Sequence, residues 1–284
     1  MKKLLIITDL DASFIDENYE YTDALEAVEQ LSKLEFPLVF NSSKTLIECS
    51  ALAKELQLTT PRIAENGGII AVPHNSELST LCQPSPKQAW EHQDESTTLI
   101  TGLSREYILS EAHQTRKGNG YSFEGFSDWS YQELSSKTGL THDAAKLAKQ
   151  RHVSEPILWQ DTNERWGYFQ SQMQAKGIRT LRGGKFIHLM GPSDKADGLR
   201  VTKQLYEAKY PETEWVTVAL GDSANDQSML ESADIAIVIP HADPLGAQIQ
   251  VSGTHVIHAK YPASKGWNDA ILNLLSTLQL NQHT

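Results

Sequence analysis

The chain has 284 residues, a formal net charge of −11, and 39% hydrophobic against 21% charged residues, a balance that suits one large or two ordinary soluble domains. An acidic chain of this kind lacks the basic face that general nucleic-acid binding needs, and no apolar stretch is long enough to cross a membrane. Cys49 and Cys82 show neither a disulfide framework nor metal-like spacing, and the apolar run after Met1-Lys2-Lys3 is too short for a secretory signal, so a reducing, cytoplasmic setting is expected.

The first strand is Leu4-Leu5-Ile6-Ile7, which runs into Thr8-Asp9-Leu10-Asp11-Ala12-Ser13. Asp9 and Asp11 would project the same way if the strand continued. Two like charges at a strand end call for a compensating cation. Thr22 is placed to cap a helix through Ala24, Leu25, Val28 and Leu31. Phe36–Phe40 reads as a second buried strand, and a helix follows Asn41-Ser42-Ser43-Lys44-Thr45 to about Leu58. Ile63–Val72 contains a turn or hairpin at Glu65-Asn66-Gly67-Gly68. Alternating strand and helix implies a parallel sheet with right-handed crossovers.

Residues 74–98 turn polar and read as a linker into a second unit. Helices are expected over Ser104–His113, Tyr131–Lys137, His142–Arg151 and Glu164–Lys176, with a strand at Ile157-Leu158-Trp159. Ile178–Leu181 and Lys185–Met190 form a hairpin about Gly183-Gly184. The parallel pattern returns with a helix over Asp197–Lys209 and a strand Trp215–Leu220 that ends in Gly221-Asp222-Ser223-Ala224-Asn225-Asp226. Strands at Ala233–Ile239 and His255–Ala259 and a closing helix from about Lys265 to Leu278 complete the chain. The expected fold class is therefore α/β: a Rossmann-like parallel-sheet core, residues 1–83 and 192–284, with an inserted α+β unit, residues 84–191.

Four clusters fall at or just after strand ends, where open α/β sheets place their sites: Asp9-Leu10-Asp11, Ser42-Ser43-Lys44, Lys195, and Asp222 with Asp226. They supply what aspartyl phosphoryl transfer requires. One carboxylate attacks phosphorus, and a second protonates the leaving oxygen and then activates water. Further carboxylates suit Mg²⁺, which prefers oxygen ligands, and a lysine with a hydroxyl orients the transferring oxygens. Taken singly, Ser42 also reads as a helix cap, Lys195 as a surface lysine and His188 as a core histidine.

On Asp9-Leu10-Asp11, Ser42, Lys195 and Gly221-Asp222-Ser223-Ala224-Asn225-Asp226 the chain resembles the haloacid dehalogenase superfamily of phosphatases, in the branch with a large α/β cap. Asn41-Ser42-Ser43-Lys44-Thr45, Ala64-Glu65-Asn66-Gly67-Gly68, Gly125-Phe126-Ser127-Asp128, Thr138-Gly139-Leu140, Arg151 with Ser154-Glu155-Pro156, and Gly183-Gly184-Lys185-Phe186-Ile187-His188 narrow the likeness to mannosyl-3-phosphoglycerate phosphatases. The resemblance implies a Mg²⁺-dependent hydrolysis of a phosphorylated glycoside, giving glycosylglycerate (a compatible solute) and phosphate. It makes Asp9 the nucleophile and Asp11 the acid/base. It assigns Mg²⁺ to the Asp9 and Asp222 carboxylates and the Asp11 carbonyl, with Asp226 as ligand or holder. Ser42 and Lys195 would contact the phosphoryl group. Ser43, Lys44, Arg151, Ser154, Lys185, His188 and Asn225 would read the glycerate and sugar.

There are departures. Ala12-Ser13 replaces the usual Gly-Thr, and Ala12 is strained if its φ is positive. Lys185 replaces an arginine, which keeps the charge and loses the bidentate fork. A glucosyl-3-phosphoglycerate phosphatase, a broader sugar-phosphate phosphatase and a phosphomutase are the alternatives. The state is expected to be monomer or homodimer, with neither nucleic acid nor membrane as partner.

Overall fold

The computed structural model describes residues 2–85, 88–241, 249–253 and 255–282. Strand β1 (Lys2–Thr8) lies mid-sheet and is buried on both faces. Leu4 and Ile6 join one core layer with Phe14, Phe40 and Trp267, while Leu5 and Ile7 join the other with Leu199 and Met229. Alternating side chains in a strand covered from both sides require this apolar run.

The chain continues through α1 (Leu25–Lys33), β2 (Leu38–Asn41), α2 (Leu46–Glu55), β3 (Arg62–Ala64), β4 (Ile69–Pro73), β5 (Trp90–His92) and β6 (Ser96–Ile100). Next come α3 (Arg105–Asn119), β7 (Phe123–Gly125), α4 (Tyr131–Thr138), α5 (His142–Ala148), β8 (Ser154–Trp159), α6 (Asn163–Ala175), β9 (Arg179–Gly183) and β10 (Phe186–Met190). The closing part is α7 (Lys195–Lys209), β11 (Glu214–Gly221), α8 (Gln227–Ser232), β12 (Ile235–Val238), β13 (His255–His258) and α9 (Ala263–Gln282).

Among the described residues, a nine-stranded sheet runs β13-β12-β11-β1-β2-β3-β4-β6-β5. Its pairings are parallel from β13 to β3, and β4, β6 and β5 form an antiparallel edge. The expected parallel sheet is thus a mixed one. α1, α2 and α9 contribute to one core layer, and α7 and α8 to the other. A second, antiparallel sheet runs β7-β8-β10-β9. Ile108 and Ala112 of α3 and Phe169 and Met173 of α6 cover one of its faces, against Ile157, Ile187 and Leu189. α4 and α5 form a smaller cluster with Phe126, Trp129 and Phe186.

Several expectations shift. The segment at 90–100 was expected in the inserted unit, but β6 pairs with β4 in the large sheet, with Leu99 opposite Ile70. Its polar composition hid a strand because Thr97, Thr98 and Trp90 are buried, and threonine and tryptophan suit pleated surfaces. Thr22 caps nothing: it opens a short 3-10 turn, and α1 starts from Ala24 without a side-chain cap. α5 stops at Ala148, short of Arg151. β8 starts at Ser154, because Ser154-Glu155-Pro156 is a strand disguised by polar residues and a proline.

The two connections to the inserted sheet lie side by side. Ser193 Oγ donates to the Thr101 carbonyl at 2.6 Å. A Cβ on Gly191 would fall 2.6 Å from the Leu103 amide nitrogen, so only glycine lets the strands approach this closely.

Candidate active site

The first cluster forms where β1 ends. Thr8 is the last strand residue, and a tight turn follows through Leu10 and Ala12. Thr8 Oγ1 donates to the Asp9 carbonyl at 2.8 Å and accepts from Trp267 Nε1 at 2.9 Å. Trp267 also meets Phe14 edge-on, 5.0 Å between ring centres. This aromatic packing fixes the backbone on both sides of Asp9. Because the strand has ended, the two aspartates do not share a direction. Asp9 is buried, whereas the Asp11 side chain is 46% exposed and lies 2.9 Å from Lys44 Nζ. Ala12, directly after Asp11, has φ +57, the left-handed conformation that was in question. For an L-residue that costs on the order of 1 kcal/mol.

Asp222 and Asp226 come from the turn after β11. Asp226 Oδ2 accepts from the amides of Asp222 and Ser223 at 3.1 and 3.0 Å, so this carboxylate closes its own loop. Ser13 Oγ donates to Asp222 Oδ1 at 3.2 Å, which shows what the hydroxyl at that position does. Asp9, Asp222 and Asp226, all buried, each offer an oxygen within 4.8 Å of one another. The Asp11 carboxylate is outside this trio.

Lys195 reaches the trio from the first turn of α7, which starts two residues earlier than the apolar pattern suggested. Asp194 caps the helix through the Ala196 and Asp197 amides. Lys195 Nζ, fully buried, lies 2.6 Å from Asp9 Oδ1 and 2.5 Å from Asp226 Oδ1. Asn41 Nδ2 holds the Lys195 carbonyl at 2.8 Å.

Three carboxylates around one ammonium leave excess negative charge. Burial, together with the Asp226 charge, pushes the Asp9 carboxyl well above the usual range, with Lys195 opposing. Burial and Asp226 raise Asp222 to about 7. Burial works against the Lys195 charge, but Asp226 and Asp9 outweigh it and raise the ammonium above its ordinary value. Such a trio of hard oxygens with unbalanced charge fits a Mg²⁺ ion, which Asp9, Asp222 and Asp226 would hold.

The Ser42-Ser43-Lys44 loop follows β2. Thr45, not Ser42, caps α2, in a reciprocal pair with Glu48. Ser42 is buried, and its Oγ accepts only from the Lys44 amide among the bonds described, at 3.2 Å. Burial disfavours the Lys44 charge, yet Asp11 and Glu48 hold its ammonium above the ordinary value. A cavity of about 420 Å³ opens beside Lys44, between Leu10, Tyr19 and the Leu140–Leu147 segment.

The inserted sheet supplies Ser154 and His188, and the loop leading into β8 supplies Arg151. Arg151 Nη1 donates to the Ser43 carbonyl at 3.2 Å and to Ser154 Oγ at 2.9 Å. His188 shares a sheet face with Met190, which pairs with Ser154 and Arg179. It is buried, and its Nδ1 has no partner. Burial and the nearby Arg151 charge lower its pKa to about 3, so the ring is neutral. Asn225 Nδ2 donates to Asn66 Oδ1 at 3.2 Å, across the turn between β3 and β4. Lys185 is not brought to this group. It sits exposed at the hairpin tip, and its ammonium is taken by the Lys137 carbonyl.

Sequence reasoning passed over Thr8 and Trp267, and it gave no role to Asn41, the first residue of a motif that carries the resemblance. It also gave no role to Glu65, although Glu65 stands in a quoted motif.

The haloacid dehalogenase-like hydrolase family matches residues 6–249. A glucosyl-3-phosphoglycerate/mannosyl-3-phosphoglycerate phosphatase of Persephonella marina is 32% identical over 279 residues, 97% of this chain and 98% of the relative. One of the same description from Methanococcoides burtonii is 33% identical over 278 residues, covering 96% and 97%. Among solved structures, a Thermoplasma acidophilum protein superposes with a TM-score of 0.64 at 17% identity, covering 96% of this chain and 98% of that one. The sucrose-phosphatase of Synechocystis gives 0.59 at 15% identity, covering 96% and 98%. With its mixed sheet, inserted second sheet and carboxylate trio at the strand ends, the chain belongs to the haloacid dehalogenase-like hydrolase family.

Proposed function

We propose that the chain is a Mg²⁺-dependent phosphatase that hydrolyses mannosyl-3-phosphoglycerate, with glucosyl-3-phosphoglycerate as the second substrate. The observation that carries this reading is the match to the two relatives over nearly their whole lengths, the inserted sheet included. The site geometry supports it.

An Asp9 oxygen attacks phosphorus as the bond to the glycerate oxygen breaks. Asp11, outside the trio, gives its proton to that leaving oxygen. It then takes a proton from water, which attacks the phospho-aspartate and frees phosphate and Asp9. Lys195 opposes the burial and the Asp226 charge that raise the Asp9 pKa and so favours the ionised nucleophile, and Ser42 orients the transferring oxygens. When bound, Mg²⁺ supplies positive charge that offsets the phosphoryl oxygens.

Lys44 gives the glycerate carboxylate a cation beside the proton donor. Ser43, Arg151, Ser154, His188 and Asn225 read the rest of the substrate, and the neutral His188 serves as a hydrogen-bond partner rather than a charge. The cavity beside Lys44 has the size of a small-molecule site. We place the cap between Ile100 and Lys195, narrower than the composition suggested. Lys185 contributes at most at the rim.

Pure protein with Mg²⁺, assayed for phosphate release from glycosyl phosphoglycerates and a panel of sugar phosphates, tests the reading. A marked preference for the glycosyl phosphoglycerates is expected. Equal weak turnover of the whole panel would sink it.

A further inference from the structure

Glu65 is a carboxylate of the core that the chemistry above does not use. It is wholly buried. It opens a turn in which Glu65, Asn66 and Gly67 all have positive φ, at 49, 57 and 89°. Three such residues in succession are costly for all but glycine, and surrounding contacts must hold them. Two of those contacts are backbone bonds to the phosphoryl loop: the Glu65 amide donates to the Lys44 carbonyl and the Asn66 amide to the Ser42 carbonyl, each at 2.9 Å. A Cβ on Gly67 would fall 1.9 Å from the Asp194 carbonyl oxygen, so the turn is pressed against the start of α7 as well.

The Glu65 side chain points the other way, into the inserted sheet. Oε1 accepts from the His152 amide at 2.7 Å, and Oε2 from the Val153 amide at 3.1 Å and Ser154 Oγ at 2.6 Å. Ser154 Oγ in turn accepts from Arg151, which returns to the Ser43 carbonyl. The bonds close a ring that runs from the phosphoryl loop through Glu65 to Arg151 and back. Burial opposes the Glu65 charge, but its bonds to His152 and Ser154 and the Arg151 charge hold the carboxyl below its ordinary range.

We infer that Glu65 is a positioning residue for substrate specificity: its carboxylate sets Arg151 and Ser154 at a fixed distance from the phosphoryl-transfer loop. This rests on the reading of Arg151 and Ser154 as substrate contacts. A carboxylate is required because every partner is a donor. Glutamine would turn an NH₂ group toward amide hydrogens, leaving buried donors unpaired.

The test compares Glu65→Gln with the wild type on mannosyl-3-phosphoglycerate and on p-nitrophenyl phosphate, whose small leaving group needs no contact with the insert. The expected result is a fall of about 10- to 100-fold in kcat/KM for the glycosyl substrate, carried mainly by KM. Turnover of the small ester should stay within about threefold. His152→Ala removes an imidazole 3.7 Å from Glu65 Oε1 and keeps the backbone bond, so it should show the same split more weakly. Equal losses on both substrates, or no loss on either, would overturn the inference. If circular dichroism shows Glu65→Gln to be unfolded, Glu65→Asp, which keeps the carboxylate and shortens its reach, carries the comparison and must show the same split. If wild type ignores the glycosyl phosphoglycerates, the substrate reading fails by itself. The split is then measured on whichever panel substrate wild type prefers.

Discussion

The Lys195 ammonium lies 2.6 Å from Asp9 Oδ1, and neither side chain is appreciably exposed. Buried in this way, the lysine counters a group of carboxylates that would otherwise repel one another. Replacing it with methionine keeps the volume and removes the charge. Loss of about 3–5 kcal/mol of stability is expected, because the orphaned carboxylates stay buried. Urea unfolding of Lys195→Met, followed by fluorescence, measures it; an unchanged midpoint would show that the lysine is not the counter-charge.

Asp9→Asn acts in the opposite sense on the same cluster. It removes the proposed nucleophile, so phosphate release should fall by about 10⁴-fold or more. It also removes one negative charge from a crowded site, so the melting temperature should hold or rise. A variant that loses activity and melts early would contradict the second half of this expectation.

Ala12 sits at φ +57 directly after Asp11. Glycine adopts that conformation freely, although it gains entropy in the unfolded chain. Ala12→Gly should raise stability by about 0.5–1 kcal/mol. Chemical denaturation of the pair of proteins decides the sign.

His188 links stability to pH. Its pKa is about 3 in the folded protein, against 6.5 for an ordinary histidine. Below pH 6.5 the unfolded chain binds the proton and the folded chain does not, so this contribution is present above pH 6.5 and is lost as pH falls towards 3. His188→Gln should flatten the stability curve over that window. Parallel curves for the two proteins would show that the histidine does not titrate in this way.

The trio of Asp9, Asp222 and Asp226 makes a prediction for the metal. Mg²⁺ should raise the melting temperature of the wild type, and excess chelator should reverse the shift. Asp222→Asn should lose most of that response. An equal shift in the variant would place the ion elsewhere.

β1 and its aspartates were legible because an apolar run ending in charge has few physical readings. Asp222 and Asp226 were legible for the same reason, one strand away. Composition misread the edge strands near Thr97, since a buried threonine looks polar in a sequence and is apolar enough in a sheet. Glu65 could not be given a role because two of its three partners are backbone amides and all lie far along the chain, and an amide carries no letter. Lys185 failed in the reverse way: its letter suggested a ligand, and the hairpin carried it to the rim.

The paired connections at Thr101 and Ser193 have one more consequence. The chain leaves the large sheet and comes back to the point it left, like a circuit whose terminals are soldered side by side. Everything between those terminals can change its length without moving them apart. Lys195 is the second residue after the return terminal, so a strain that forces the terminals open is felt almost at once at the counter-charge of Asp9.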